Sequence, residues 1–510
     1  MSKEPVRYCL WSFREDVLIE ADPDTGAVIL HSQWGDTALP PVTEPAIWEA
    51  LQRMSLGPIL LENVTRDRAD LAAIERVLER LEHLVVRSIG VDADRPLFSV
   101  VPLTPQASFA LTDLAEDRMI RLSRFAVLQS NGSRYHLESS LSLHRVILHE
   151  TEAVDLIAAL GRPVRPSAIV ASPLSVAGLP TAELLSYLVA AGMVVVAEPA
   201  EAGRPAVFSE DVDPALTFWR PVDLMFHVRT NLGRHDEEFG MTYPREEGLP
   251  IEPVVAPRRG GPAIDLHRPR LPELFAADPP FTAVVEGRRP VNRSDESVPT
   301  AREVGELLYR TARVRSFYEE AREGHPRATL SERPYPTSGS CYAFEVYIAV
   351  NTCSGISRGV YHYDPVRHQL EPLPADGAGV DELLEAGRIG AGLRAQPPLL
   401  MVITARFCRL SWKYDGLSYA LVLKDLGHLT QTALLVSTAM GLPADTVAGS
   451  DIEMSARVLG TDWRTESSVA AVVIGTQAEY GRPPGGESGV NDADWADEAA
   501  AILARKPRRR

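Results

Sequence analysis

The order of segments predicts an α+β fold for the C-terminal half of this 510-residue chain, with a sheet packed against helices. Three observations carry that prediction. The helix-patterned TAREVGELLYRTARV is followed by strand-like FEVYIAVN, GVYHYD and PPLLMVITAR, then by the long helical stretch GLSYALVLKDLGHLTQTALLVSTAMGL and the strand SVAAVVIG. A proline-dense stretch over residues 242–280 precedes it, where neither helix nor ladder can continue. Ahead of that stretch, a hairpin, helix and strand order occurs twice.

The first copy opens with VRYCLWSF and AVILHSQW, which read as a β-hairpin around the turn-forming DPDTG. LAAIERVLERLEHLVV follows, with Leu71, Ile74, Val77, Leu78, Leu81 and Leu84 at the three- and four-residue steps of an amphipathic helix, and leads into LVVRSI. The second copy runs RFAVLQS, a turn at NGSR, YHLESS, SLHRVILH, the helix TAELLSYLVAAGM and the strand MVVVAE. Both predict winged-helix-like modules, over residues 1–95 and 96–205. A connector over 206–280, the α+β domain over 281–485 and a disordered tail over 486–510 complete the expected layout.

Composition narrows the function. Asp and Glu outnumber Lys and Arg by 69 to 52, and a net charge of -17 repels a phosphate backbone, so nucleic acid is not an expected partner. The one strongly basic run, ARKPRRR, reads as a solubilising end. Cys9, Cys341, Cys353 and Cys408 form no C-x-x-C pair, which predicts neither a metal site nor a disulfide framework and fits the cytoplasm. No signal-like opening and no run approaching the roughly 20 apolar residues of a bilayer span is found, so no membrane role is expected.

Two segments carry candidate chemistry. In VVEGRRPVNRSD, Arg288, Arg289 and Arg293 crowd a short stretch, and guanidinium forks match phosphate geometry, although a solvated basic turn reads the same way. In RPYPTSGSCYAFEVYIAV, small residues at Ser338, Gly339 and Ser340 let backbone amides approach a flat ligand and add hydroxyl donors; any turn into a core strand would look similar.

Together with LLYRTARVRS and DLGHLTQTALLVSTAMGL, these segments resemble the SagB-type (SagB/ThcOx) dehydrogenases of the nitroreductase superfamily, which use FMN to oxidise azolines to azoles in ribosomally made peptides. The resemblance runs in order over residues 218–476, from FWRPVDLMFHVRTNLGRHDEEFG to SVAAVVIG. It implies that the FMN phosphate lies near Arg288, Arg289 and Asn292. Pro290 replaces a frequent serine there and Asn292 a frequent basic residue, with Arg293 a candidate to compensate. It implies that Ser338, Gly339 and Ser340 lie against the flavin, with Tyr342 in the aromatic position and Ala343 in place of the usual proline. Ala448 and Gly449, in TVAGSD, match the loop whose amide faces flavin N5.

The same resemblance implies that Lys413 and Tyr414, in RLSWKYDGLSYA, are catalytic. Aromatising an azoline removes a hydride and a proton, and either residue can serve as base or relay; which one is the base stays open. His428 and Gln431 share a helix face and are read as satisfied polar groups outside the site. The resemblance further implies a precursor peptide as substrate, a cyclodehydratase as partner and a homodimer; the N-terminal modules more loosely resemble winged-helix leader-recognition modules, the alternative being scaffolding or dimer contacts without a peptide ligand. Two other functional readings remain: a nitroreductase-like enzyme acting on a small molecule with NAD(P)H, and a non-catalytic scaffold of a peptide-modifying complex.

Overall fold

Strand pairing in the N-terminal part is set by which side chains must be buried. In the computed structural model, which describes residues 8–22, 27–92, 95–115, 117–170, 181–199, 205–244, 251–288, 298–321, 327–447, 449, 451–475 and 493–504, Tyr8–Phe13 pairs antiparallel with Val85–Asp92. That register seats Phe13 beside Val85 in a core shared with Leu84, Ile47 and Leu51. Most of the DPDTG segment, residues 23–26, lies outside the described residues; the hairpin on either side of it has Leu18–Ala21 as its first strand, paired with Val28–Ser32. The expected pairing of VRYCLWSF with AVILHSQW is therefore corrected: a strand can reach a distant partner when the buried face demands it.

The chain divides into two units, Met1–Glu237 and Glu238–Arg510. In the first, a six-stranded sheet runs in the order Tyr8–Phe13, Val85–Asp92, Arg95–Pro102, His144–Leu148, Tyr135–Ser139, Ala126–Ser130. The expected boundary between residues 95 and 96 falls inside this sheet, so the two expected modules share it. The helices Thr151–Ala159 and Thr181–Ala190 bury Leu156, Leu184 and Leu188 against Leu97, Val146 and Ile120. Val194–Val196 then pairs with Ile120–Leu122.

The second unit is built on the strands β1 (Ile264–Asp265), β2 (Ser316–Glu320), β3 (Ala328–Glu332), β4 (Phe344–Val350), β5 (Gly359–Asp364), β6 (Gln369–Pro372), β7 (Leu399–Arg406), β8 (Ala444–Val447) and β9 (Glu466–Ile474). Seven of them form one antiparallel sheet in the order β1-β6-β5-β4-β7-β9-β8, while β2 and β3 make a separate hairpin. The helices are α1 (Leu271–Ala277), α2 (Phe281–Glu286), α3 (Ala301–Ala312), α4 (Gly377–Gly390), α5 (Cys408–Ser411), α6 (Ser418–Met440), α7 (Ile452–Leu459) and α8 (Ala493–Ala504).

All seven residues of β4 are buried because both faces of the sheet are covered. Phe344, Val346 and Ile348 join a core with Leu307 of α3 and Leu429 of α6, whereas Tyr347 and Ala349 face Leu383 of α4 and Val458 of α7. Side chains alternate along a strand, so a run apolar on both parities needs helices on both sides. Thr300 and Glu303 start α3 with a capping box, and Gly441, at φ 68°, ends α6 in the left-handed conformation.

The connector and tail differ from expectation. Residues 206–237 fall in the first unit and 238–280 in the second, where β1 adds an edge strand to the sheet. Carbonyls of Pro253 and Val254 accept hydrogen bonds from Arg409 and Arg333, and Arg258 and Arg259 are tied to Glu371 and Tyr347, so proline-rich backbone is held by side chains instead of by a ladder. The expected disordered tail contains α8, whose Ala499 and Leu503 pack against Gly287 after α2. Its alanine-rich DWADEAAAILA favours helix strongly enough to outweigh the polar surroundings.

Candidate functional site

The N-terminal end of β4 and the C-terminal end of β7 are neighbours, because Phe344 pairs with Ala405. The turn before β4 and the short helix after β7 therefore leave the sheet at the same end. That register brings together Ser338, Gly339 and Ser340 with Lys413 and Tyr414, over 70 positions apart in sequence, as the 74 between Lys413 and Gly339 show.

The turn has little freedom. Gly339, Ser340 and Tyr342 have φ of 54°, 57° and 41°, a left-handed conformation that L side chains resist, with Cys341 at φ −76° between the last two. Asp425, buried on α6, holds it: one carboxylate oxygen accepts from the Thr337 hydroxyl at 2.6 Å and the Ser338 amide at 2.9 Å, the other from the Ser338 hydroxyl at 3.0 Å. The Ser338 hydroxyl proton is thereby committed to the protein, a correction to its expected use as a donor to a ligand. Tyr342 is buried, its ring edge-on to Tyr335 at 5.2 Å, and belongs to the core under the turn.

α5 carries the other half. Buried Arg409 donates to Glu345 at 2.5 Å and to the Tyr342 carbonyl at 3.3 Å, locking α5 to the turn. Lys413 and Tyr414 amides both donate to the Leu410 carbonyl, so the two side chains emerge directly after the helix. The Lys413 side chain is 2% exposed, and its Nζ donates to both carboxylate oxygens of Glu320, at 2.8 and 2.7 Å, and to the Gly339 carbonyl at 3.3 Å.

A side-chain carbon placed on Gly339 would stand 2.7 Å from the Tyr414 hydroxyl and 3.3 Å from Lys413 Cδ, so the glycine is required by the close approach of this pair. Burial, joined by the charges of Asp425 and Glu320, pushes the Tyr414 hydroxyl up to about 12. It stays a protonated donor near neutral pH. Burial likewise lifts the Cys341 thiol to about 12, which removes it as a thiolate.

The remaining expected residues lie apart or outside the described residues. Arg288 follows α2, half-buried, at the segment that meets α8. Gly449 is exposed, just past β8, with its carbonyl 3.7 Å from the position a side-chain carbon would take on Gly390. Arg289, Asn292 and Ala448 lie outside the described residues. Glu320, Asp425 and Arg409 were not among the expected site residues; Asp425 sits three residues before His428, the only signal that could have pointed to it, and His428 itself is 3.8 Å from that carboxylate and half exposed. Among the described residues no group of three or more His, Cys, Asp or Glu could hold a metal ion, and no helix is long and apolar enough to cross a membrane.

Residues 294–476, which hold most of the antiparallel sheet with its left-handed turn and Lys-Tyr pair at one end, match the nitroreductase family model. Residues 120–236 match a second family model, described as cyanobactin oxidase ThcOx, so the likeness extends into the first unit. A nitroreductase-described protein of Methanocaldococcus jannaschii is 25% identical over 185 residues, 36% of this chain and 82% of that protein. The trifolitoxin-processing protein TfxB of Rhizobium leguminosarum bv. trifolii is 28% identical over 27% of this chain and 38% of its own length. The microcin B17-processing protein McbC of Escherichia coli is 29% identical over 28% of this chain and 52% of its own length. The chain thus spans about half or less of the two processing proteins. Among solved structures, a nitroreductase-described protein of Anabaena variabilis gives a TM-score of 0.35 at 20% identity, over 49% of this chain and 45% of that one. The E. coli microcin synthetase McbBCD complex with truncated pro-MccB17 gives 0.30 at 20% identity, over 51% and 95%.

Proposed function

We propose that this chain is an FMN-dependent dehydrogenase that oxidises azolines in a ribosomally made precursor peptide to azoles, in the cytoplasm, as a homodimer and after a cyclodehydratase has formed the rings. The observation that carries this reading is the Lys413–Tyr414 pair pressed onto Gly339, with no side chain between them and the turn. The relatives named for processing microcin B17 and trifolitoxin support the choice of a peptide substrate.

The chemistry of the turn suits a flavin: small residues at Ser338, Gly339 and Ser340 keep side-chain bulk low beside the Lys413–Tyr414 pair. Arg288, Arg289 and Asn292 would hold its phosphate, Ser338, Gly339 and Ser340 its ring, and Ala448 and Gly449 the edge at N5. When bound, the flavin supplies a two-electron acceptor for hydride. The chain's own residues supply the rest: Tyr414, protonated, donates a hydrogen bond that orients the ring, and Lys413 takes the acidified carbon-bound proton. In the first unit, Ala126–Ser130 ends the sheet with Val127 and Leu128 exposed, an edge suited to pairing with an extended leader peptide.

The test is a purified full-length chain given a thiazoline-bearing precursor peptide under air. A yellow preparation that removes two hydrogens per ring, read by mass spectrometry, supports the reading. A colourless protein would instead favour the scaffold, and rapid bleaching by NADPH without peptide conversion would favour a small-molecule nitroreductase.

A further inference from the structure

Lys413 is not a lone amine. Both oxygens of Glu320 lie within 2.8 Å of its Nζ, and the lysine side chain is almost wholly buried while the carboxylate is 32% exposed. An ammonium holding its full complement of protons cannot accept another, so a base at this position needs somewhere to pass one on.

Other groups around Nζ do not offer that place. The Asp425 carboxylate already accepts three hydrogen bonds from Thr337 and Ser338. Tyr414 and Cys341 are both held protonated by burial, and Tyr243 and Trp412 present ring faces at 5.9 and 5.7 Å.

The fold places Glu320 deliberately in register. It ends β2 opposite Ala328, and β3 anchors the hairpin by burying Ala328 and Leu330 against Trp412, the residue beside Lys413. Alternation along β2 sends the neighbouring Glu319 elsewhere, where it accepts from the Thr329 hydroxyl at 2.7 Å.

We propose that Glu320 is the positioning residue and terminal proton acceptor of this site, acting through Lys413. This rests on the azoline reading above. In the step, one ring carbon gives its proton to Lys413 Nζ as Nζ passes a proton to a Glu320 oxygen; a flavin, when bound, would supply the two-electron acceptor for the hydride on the adjacent ring carbon. Two C–H bonds of the azoline break and one C=C bond forms, and the pair ends as ammonium and neutral carboxylic acid. Glu320, at the solvent edge, then returns the proton to water.

The experiment compares Glu320→Gln, Glu320→Asp and Glu319→Gln in the full-length chain. Glu320→Gln keeps flavin content and KM but loses about 10²-fold or more in kcat, the usual scale for an acid–base group, and Glu320→Asp recovers most of it. The pH profile of kcat changes shape between wild type and Glu320→Gln, which a merely structural role would not produce. Glu319→Gln behaves as wild type. In flavin-free protein, Lys413 acylation by acetic anhydride, read by mass spectrometry, is faster in Glu320→Gln than in wild type. A kcat for Glu320→Gln within about twofold of wild type, or equal losses in Glu320→Gln and Glu320→Asp, overturns the proposal. Wild-type protein inert toward thiazoline would instead sink the azoline reading, while the acylation contrast still reports on the pair.

Discussion

Among the clusters of buried charge in the second unit, those around Glu345 and Lys413 differ in what surrounds them. Around Glu345, the carboxylate meets Arg409 at 2.5 Å and His362 at 2.9 Å, each of the three at most 2% exposed. Around Lys413, an equally buried ammonium meets a partly exposed carboxylate, a half-buried tyrosine and a bare glycine. The first cluster is closed on itself and holds backbone: the Pro253 carbonyl and the Tyr342 carbonyl both end on Arg409. In the second, the carboxylate of Glu320 is 32% exposed. Burial of charge alone thus does not mark a site; a buried charge with an open neighbour does.

The largest expected effect separates the clusters by function. Lys413→Ala removes the proposed base and is expected to lower kcat per folded, flavin-loaded molecule by about 10²- to 10⁴-fold. If kcat survives, the open cluster is as structural as the closed one and the contrast is broken.

Glu345→Gln gives the reverse pattern. Removing one partner from a buried pair leaves Arg409 uncompensated and costs about 3–5 kcal/mol, read as a lower urea midpoint at unchanged slope. Its pH dependence has a defined sign. Burial raises the Glu345 carboxyl, but the Arg409 guanidinium and the His362 hydrogen bond outweigh that and hold it well below its ordinary value of 4.5. A carboxylate held low stabilises the fold above that value and loses the contribution as pH falls further. The stability gap between wild type and Glu345→Gln should therefore be full at neutral pH and shrink below about 4.5; a gap that grows on acidification would show that Glu345 is not the stabilising anion.

The two clusters were also unequally legible in the sequence. β4 and α6 announced themselves because FEVYIAV is apolar on both parities and the α6 stretch keeps its pattern for 23 residues. Ser338, Gly339, Ser340, Lys413 and Tyr414 were readable because each stands in a short run resembling a known family. Glu320 and Asp425 were not, because their partners lie 93 and 88 residues away and their roles exist only through sheet and hairpin register. Arg409 reads as one arginine among several until β4 and β7 align and put Glu345 beneath it. The misread first hairpin has the same cause: the true partner of Tyr8–Phe13 begins at Val85.

The smallest effect sits where the clusters meet, at Gly339. Its carbonyl accepts from Lys413 while Tyr342, three residues on, is tied to Arg409, so the turn transmits the rigidity of the closed cluster to the open one. Gly339→Ala puts a methyl group on a residue at φ 54°, which costs about 1–2 kcal/mol in conformation alone. The added carbon also starts 2.7 Å from the Tyr414 hydroxyl, which must move. The expected variant is folded, with a melting temperature lowered by a few degrees, yet its kcat falls more than its stability, because Tyr414 and Lys413 are displaced together. Equal kcat in wild type and Gly339→Ala would mean that the turn and the Lys–Tyr pair are merely adjacent; loss of fold without any separate loss in kcat per folded molecule would mean that Gly339 serves only the closed cluster.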